Sequence, residues 1–203
     1  ILWARSTAVG EIVFEYAENS LFTDAETVAA EVTDPTVPVK VEIGPLSAGT
    51  TYFYRVTDAV GATAEGMFRT PAAEGYRGLR FGVSGDWRGE LAPYPSIANV
   101  SESELDLFVA LGDTIYADVG SIDFPGDQAR TLEDFRIKHN EVYSERFGRN
   151  GLADIRASTA LLAVNDDHEV TNDFSGGAPP ESDLRFDQTG AYINETQLWS
   201  NGM

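Results

Sequence analysis

Across residues 1–70, apolar and polar positions alternate with the period of strands. Glu11–Tyr16 (EIVFEY), Val37–Ile43 (VPVKVEI), Thr51–Val56 (TYFYRV) and Ala62–Arg69 (ATAEGMFR) carry β-branched or aromatic residues on every second position, with Gly, Pro, Asp and Ser turns between them. The opening Ile-Leu-Trp-Ala-Arg reads as a further strand, and no stretch there holds a helical period. The expectation for residues 1–70 is an all-β sandwich. Residues 71–77, beginning Pro71-Ala-Ala-Glu-Gly75, are a linker by composition. From residue 78 to 203 the period changes. Apolar runs at Gly78–Ser84, Leu105–Leu111 and Ala160–Val164 predict buried strands, and Pro95–Leu105 predicts a short helix. Thr131–Phe147 predicts a longer helix, with Thr131 and Asp134 spaced as a capping box. Asn172–Pro180 reads as a polar loop over the site and Asp187–Met203 as the start of another helix, with nothing to close the sheet. Strand–helix–strand alternation of this kind predicts an α/β layer with right-handed crossovers.

Within the first segment, Leu46-Ser-Ala-Gly-Thr50-Thr-Tyr52 is the most specific marker. It resembles the fibronectin type III pattern, in which a Leu, a short turn and a Tyr form the tyrosine corner between two late strands.

Charge narrows the class of partner. The formal net charge is −19, and Lys40 and Lys138 are the only lysines. Such a surface repels nucleic acid and anionic membranes, and suits a protein that works in salty or extracellular surroundings or one that binds cations. There is no cysteine, so disulfides, zinc–thiolate sites and a cysteine nucleophile are excluded. No segment has the apolar length of a membrane span and no signal peptide is read at the start, which opens as a mature or trimmed domain would.

The candidate chemistry lies at three strand exits. Ser84-Gly-Asp86-Trp-Arg88, Gly112-Asp113-Thr-Ile-Tyr116 and Asp166-Asp167-His168-Glu169 each follow one of the apolar runs. Open α/β sheets assemble active sites at that edge. Gathering carboxylates in one place costs free energy unless a cation compensates, so Asp86, Asp113 and Asp167 point to hard metal ions. Tyr116 is spaced to curl back onto the ion held by Asp113. A phenol ordinarily loses its proton at about pH 10, so only a strong Lewis acid such as Fe³⁺ would hold it as phenolate. His168, its pKa raised by acidic neighbours, is placed to act as general acid toward a leaving oxygen. Arg88 is suited to clamp a phosphate oxygen bidentately. On the predicted helix, Arg136 and His139 lie on a common face and read either as phosphate contacts or as a solvated surface.

These motifs, with Leu132-Glu-Asp134-Phe135-Arg136-Ile-Lys-His139 between them and a fibronectin-like segment ahead, resemble the PhoD family of alkaline phosphatases and phosphodiesterases. The resemblance implies an α/β metallophosphoesterase domain that hydrolyses small phosphate mono- or diesters with a metal-activated hydroxide. It implies Fe³⁺ and Ca²⁺ as cofactors. Asp113 and Tyr116 would ligate iron, Asp113 would bridge to calcium, Asp167 would stand where wider metallophosphoesterases have Asn, and His168 would face substrate. It also implies a secreted or periplasmic location. Three departures stand out. The family's Ser-Cys pair after the first strand is missing, and Asp86 is the one good ligand among Ser84, Gly85 and Asp86 to replace that Cys. The usual Trp before Asp-Asp-His-Glu is Asn165. Later His and Asp ligands of the family have no counterpart before Met203, which predicts a carboxy-terminally incomplete chain. Three rivals remain open: a purple acid phosphatase, which would show Gly-Asn-His in place of Asp-Asp-His-Glu, a non-catalytic extracellular module whose carboxylates hold only Ca²⁺, and a degenerate relic that has lost its remaining ligands.

Overall fold

A computed structural model describes residues 1–75 and 77–174. The predicted loop from residue 175 onward and the helix at 187–203 lie outside the described residues. Two compact units are present. One comprises Ile1–Phe81 with Ser101–Leu107 and Asp154–Ala160. The other comprises Gly82–Val100, Phe108–Ala153 and the segment that begins at Leu161.

In the first unit the alternating pattern becomes two antiparallel sheets. Strands β2 (Gly10–Ala17), β3 (Glu26–Val32), β5 (Thr51–Thr57) and β6 (Thr63–Arg69) form a sheet in the order β3-β2-β5-β6, and β1 (Leu2–Ala4) pairs with β4 (Val39–Val41). Every second side chain of β2 turns inward, so Ile12, Phe14 and Tyr16 are buried. Ile12 and Phe14 join Val32 and Val56 of their own sheet and Leu2 and Val41 of the other in one apolar cluster. Sheet therefore packs on sheet, each covering the face that the other must hide from water. On the outer face Glu15 and Arg55, directly opposite in register, make a 2.8 Å ion pair. The hydroxyl of buried Tyr52 accepts the backbone N–H of Ser47 at 2.9 Å, a bond back to the chain five residues upstream that has the geometry of a tyrosine corner.

The remaining strands, β7 (Phe81–Ser84), β8 (Leu107–Ala110) and β9 (Ala160–Ala163), form a sheet in the order β7-β8-β9. Asp106 N–H reaches the carbonyl of Arg80 and Leu111 N–H that of Ser84, so β7 and β8 run in the same direction. Their burial differs from expectation. Phe108 and Ala110 are buried, but Val83, Leu111, Leu162 and Val164 are exposed, Leu162 at 59%. A wholly apolar strand predicts cover on both faces, and among the described residues one face has none.

Two helices accompany this sheet, α1 (Leu132–Tyr143) and α2 (Gly151–Ser158). The Thr131 hydroxyl accepts from Asp134 N–H while Asp134 accepts from Thr131 N–H, the reciprocal capping box the spacing predicts. Helix α1 stops at Tyr143, short of the predicted Phe147, because Arg146–Arg149 closes into a tight turn with both Phe147 and Gly148 at positive φ. Helix α2 was not predicted. It starts at the side chain of Asn150, which accepts the N–H of Ala153 at 2.9 Å. The predicted helix over Pro95–Leu105 is a correction in the other direction, since only a single 3₁₀ turn forms at Pro95–Ile97. Pro95 sets its first position, but the following Ala-Asn-Val-Ser-Glu-Ser-Glu has no run of large apolar residues at helical spacing to continue it.

Candidate functional site

Backbone proximity, more than side-chain reach, draws the three strand exits together. Gly112 has φ of +95°, and a Cβ there would collide with the backbone amide and side chain of Asp166. Only a glycine lets the β8 exit lie against the β9 exit this closely. The next residue, Asp113, and the corresponding Asp86 after β7 are themselves left-handed, with φ of 51° and 61°. A non-glycine residue in that region stores on the order of 1 kcal/mol or more, and such strain concentrates where a side chain must be aimed. Trp87 N–H then bonds to the carbonyl of Asp113 at 2.8 Å and ties the β7 exit to the other two.

Glu169 fastens the assembly from beneath. It is buried, and its carboxylate accepts the N–H groups of Asp113, Thr114 and Asp166. Its role is organising, one carboxylate satisfying three backbone donors of two exits. Reading the acidic box as a string of ligands misses this. The signal available in sequence is an acidic residue directly before the apolar Val170, where a buried side chain is expected.

Above that floor, Asp113, Asp167 and His168 each offer a ligand atom, all within 4.8 Å of one another. Asp113 is 6% exposed, and its carboxylate accepts the backbone N–H of His168 at 3.2 Å. Burial raises its pKa, and the charges of Asp167 and Glu169 push the same way against the pull of His168. Tyr116 donates its hydroxyl to Asp86 at 3.1 Å, and its ring stacks on that of His168 with centroids 4.1 Å apart. Burial, then the bond to Asp86 and the charge of Asp113, hold the phenol above its ordinary range.

His168 has a partner that the sequence reading did not assign. Its Nδ1 lies 2.7 Å from Asp118 Oδ1, while Asp118 Oδ2 accepts the N–H of Asn172 at 2.8 Å. Burial disfavours the imidazolium, but the Asp118 bond and the charges of Asp118, Asp113 and Asp167 outweigh it, so the ring keeps its proton to higher pH than usual. With Nδ1 engaged, Nε2 is the nitrogen left for another ligand. Arg88 stands at the rim, ion-paired with Glu90, its guanidinium 5.6 Å from the centre of the Tyr116 ring. On α1, Arg136 lies 4.0 Å from the carboxylate of Glu133, and the His139 ring stacks with that of Tyr143.

This donor set fits a cation. Three carboxylates, a phenol and an imidazole are hard or borderline ligands of the type that di- and trivalent ions take. A buried aspartate whose charged form is disfavoured by its own surroundings is one that a positive ion would relieve.

A sequence model of the PhoD-like phosphatase family matches residues 81–197, more than half of the chain and all three strand exits. The chain belongs to this family. The fold agrees with that of the solved structure of PhoD, with a TM-score of 0.72 and 20% identity over 99% of this chain. This PhoD-like chain spans 42% of the length of that structure. No curated protein matched it. Among the described residues of this family member, no helix is long and apolar enough to cross a membrane.

Proposed function

We propose that this PhoD-like chain takes part in metal-dependent hydrolysis of small phosphate mono- or diesters, as a phosphoric ester hydrolase of the alkaline phosphatase/phosphodiesterase type. The observation that carries the proposal is the convergence of Asp113, Asp167 and His168 ligand atoms within 4.8 Å, at a point where Tyr116 and Asp86 are hydrogen-bonded to each other. Asp113, Tyr116 and Asp86 would hold a strongly Lewis-acidic ion such as Fe³⁺, and Asp113 and Asp167 would hold a second hard ion such as Ca²⁺. Such cations supply polarisation of the phosphoryl oxygens and a lowered pKa for attacking water.

The protein's own contribution is positioning and proton control. Asp113 is buried and backbone-anchored, so its carboxylate has little freedom to follow solvent. Tyr116 donates its proton to Asp86, and a cation held there would have to displace that proton. Asp118 holds the Nδ1–H side of His168 and favours the imidazolium, whose Nε2–H is then oriented to give a proton to the leaving oxygen. Arg88, freed from Glu90, would add a bidentate contact to the phosphate. The acidic surface opposes an approaching phosphate except where bound cations invert the local field.

On this reading residues 1–70 form a fibronectin type III-like module, residues 71–77 a linker and the part from 78 onward an α/β metallophosphoesterase domain. A secreted or periplasmic setting, with ample Ca²⁺, suits such a chemistry and so acidic a surface. The test is a visible absorption spectrum with elemental analysis, before and after Tyr116→Phe, run beside hydrolysis of p-nitrophenyl phosphate and its bis ester. A charge-transfer band that disappears in the variant, with ester turnover in the parent, is the expected result. A colourless, iron-free protein would remove the iron assignment, and no turnover under any metal load would remove the hydrolase reading.

A further inference from the structure

Helix α1 carries a pair of charges that the site just described does not use. Lys138 and Glu141, one turn apart, meet at 2.9 Å with each side chain only 2% exposed. Withdrawing two ions from water costs several kcal/mol apiece, and such pairs are often replaced by apolar residues without loss of stability. Stability alone is therefore a poor reason for this pair, and its remaining contacts indicate another. Lys138 Nζ donates to the carbonyl of Val119 at 2.9 Å and lies 5.9 Å from the centre of the Phe124 ring. Glu141 Oε1 accepts the hydroxyl of Ser121. Ser121 and Phe124 close their own turn, with Phe124 N–H to Ser121 Oγ at 3.1 Å and Ser121 N–H to the Phe124 carbonyl at 2.6 Å. Both ends of the pair thus grip the segment Val119–Phe124, which begins one residue after Asp118.

The other side of Asp118 is anchored to its target. Ala117 N–H bonds to the carbonyl of His168 at 2.9 Å, and Ala117 accepts from Ala129 N–H. Asp118 is therefore held between a backbone bond to the histidine it orients and a buried ion pair on α1. We propose that Lys138 and Glu141 are positioning residues, which set the Asp118 carboxylate on His168 Nδ1 by fixing the segment that follows it. The inference rests on the reading of His168 as the group that faces substrate. It predicts that the pair acts on the tautomer of His168 without touching it.

The test replaces the pair with Lys138→Met and Glu141→Met together, which keeps the volume and removes both charges, and compares it with Ser121→Ala. The chain has two histidines, so the ¹⁵N ring signals of His168 are assigned by their loss in His168→Gln. Spectra are recorded on the full chain at a pH high enough for the ring to be neutral, with Ca²⁺ as the only added metal, which avoids paramagnetic broadening. In the parent, Nδ1 is expected to carry the proton shared with Asp118. In the double variant, with its fold verified by circular dichroism and its melting temperature, that signal gives way to a mixture of tautomers. Its kcat on phosphate esters then falls about tenfold with KM little changed. Ser121→Ala moves the same signal less far, and its small size keeps the test available should the double variant fail to fold. Folded variants with an unchanged His168 spectrum would overturn the inference. A parent without ester turnover would remove the proposed function, while the ring signals would still decide the positioning role.

Discussion

At the strand exits Asp86, Asp113, Tyr116, His168 and Glu169 are each held by a partner on a different segment, and those partners make the site's response to pH predictable. His168 bonds through Nδ1 to Asp118 and its pKa is raised in the folded chain. A raised basic group contributes stability that is present in full below its unfolded pKa of about 6.5 and is lost as pH rises through the folded value. The metal-free chain is therefore expected to lose stability from about pH 6.5 upward. Asp118→Asn should flatten that part of the curve, measured by urea unfolding at a series of pH values. The same substitution should weaken cation binding by about 10- to 100-fold if His168 is a ligand, since an orienting partner commonly carries that much. Sequence made Asp86, Asp113, Asp167 and His168 visible because each follows a glycine or an acidic neighbour at the end of an apolar run, and Tyr116 because it stands three residues after Asp113. Asp118 was not visible for a physical reason. Its partner is 50 residues away, and nothing in its own neighbourhood distinguishes it from a surface aspartate.

Among the elements, legibility followed period. Strands β2 and β5 have large apolar residues on alternate positions, and the expected limits of both, like those of β6, match within a residue or two. Strand β3 (Glu26–Val32) passed unread because its inward set, Val28, Ala30 and Val32, includes an alanine too small to mark the period. Phe14 is fully buried at the centre of the cluster that β2 shares with both sheets. Phe14→Ala should cost about 3–5 kcal/mol, read as a shift in the urea midpoint without change in slope. On α1 the capping box is the legible feature, and Thr131→Ala should cost about 1 kcal/mol by the same measurement. The smaller penalty is expected because Thr131 is exposed and water can replace its bond.

At the scale of the whole molecule, charge dominates. A net −19 on 203 residues stores repulsion that the folded chain concentrates and the unfolded chain relaxes. Screening should therefore stabilise. With chelator present to remove specific ion binding, raising sodium chloride from about 0.01 M to 1 M shortens the screening length from about 30 Å to 3 Å. The melting temperature is expected to rise by several degrees, and a fall would show that attractive pairs such as Glu15–Arg55 outweigh the general repulsion. Charge also explains what composition could convey from the start. It disfavoured nucleic acid and anionic membranes as partners without revealing where on the chain a cation would sit.

The three amides that converge on Glu169 carry one further consequence. Asp113, Thr114 and Asp166 donate to a single carboxylate from two different strand exits, so none can open to solvent without disturbing the bond shared by the others. Their hydrogens should exchange with deuterium as a group, at one common rate set by separation of the exits. A cation that spans Asp113 and Asp167 would hold the exits together and slow all three by the same factor, whereas Glu169→Ala should free them to exchange independently.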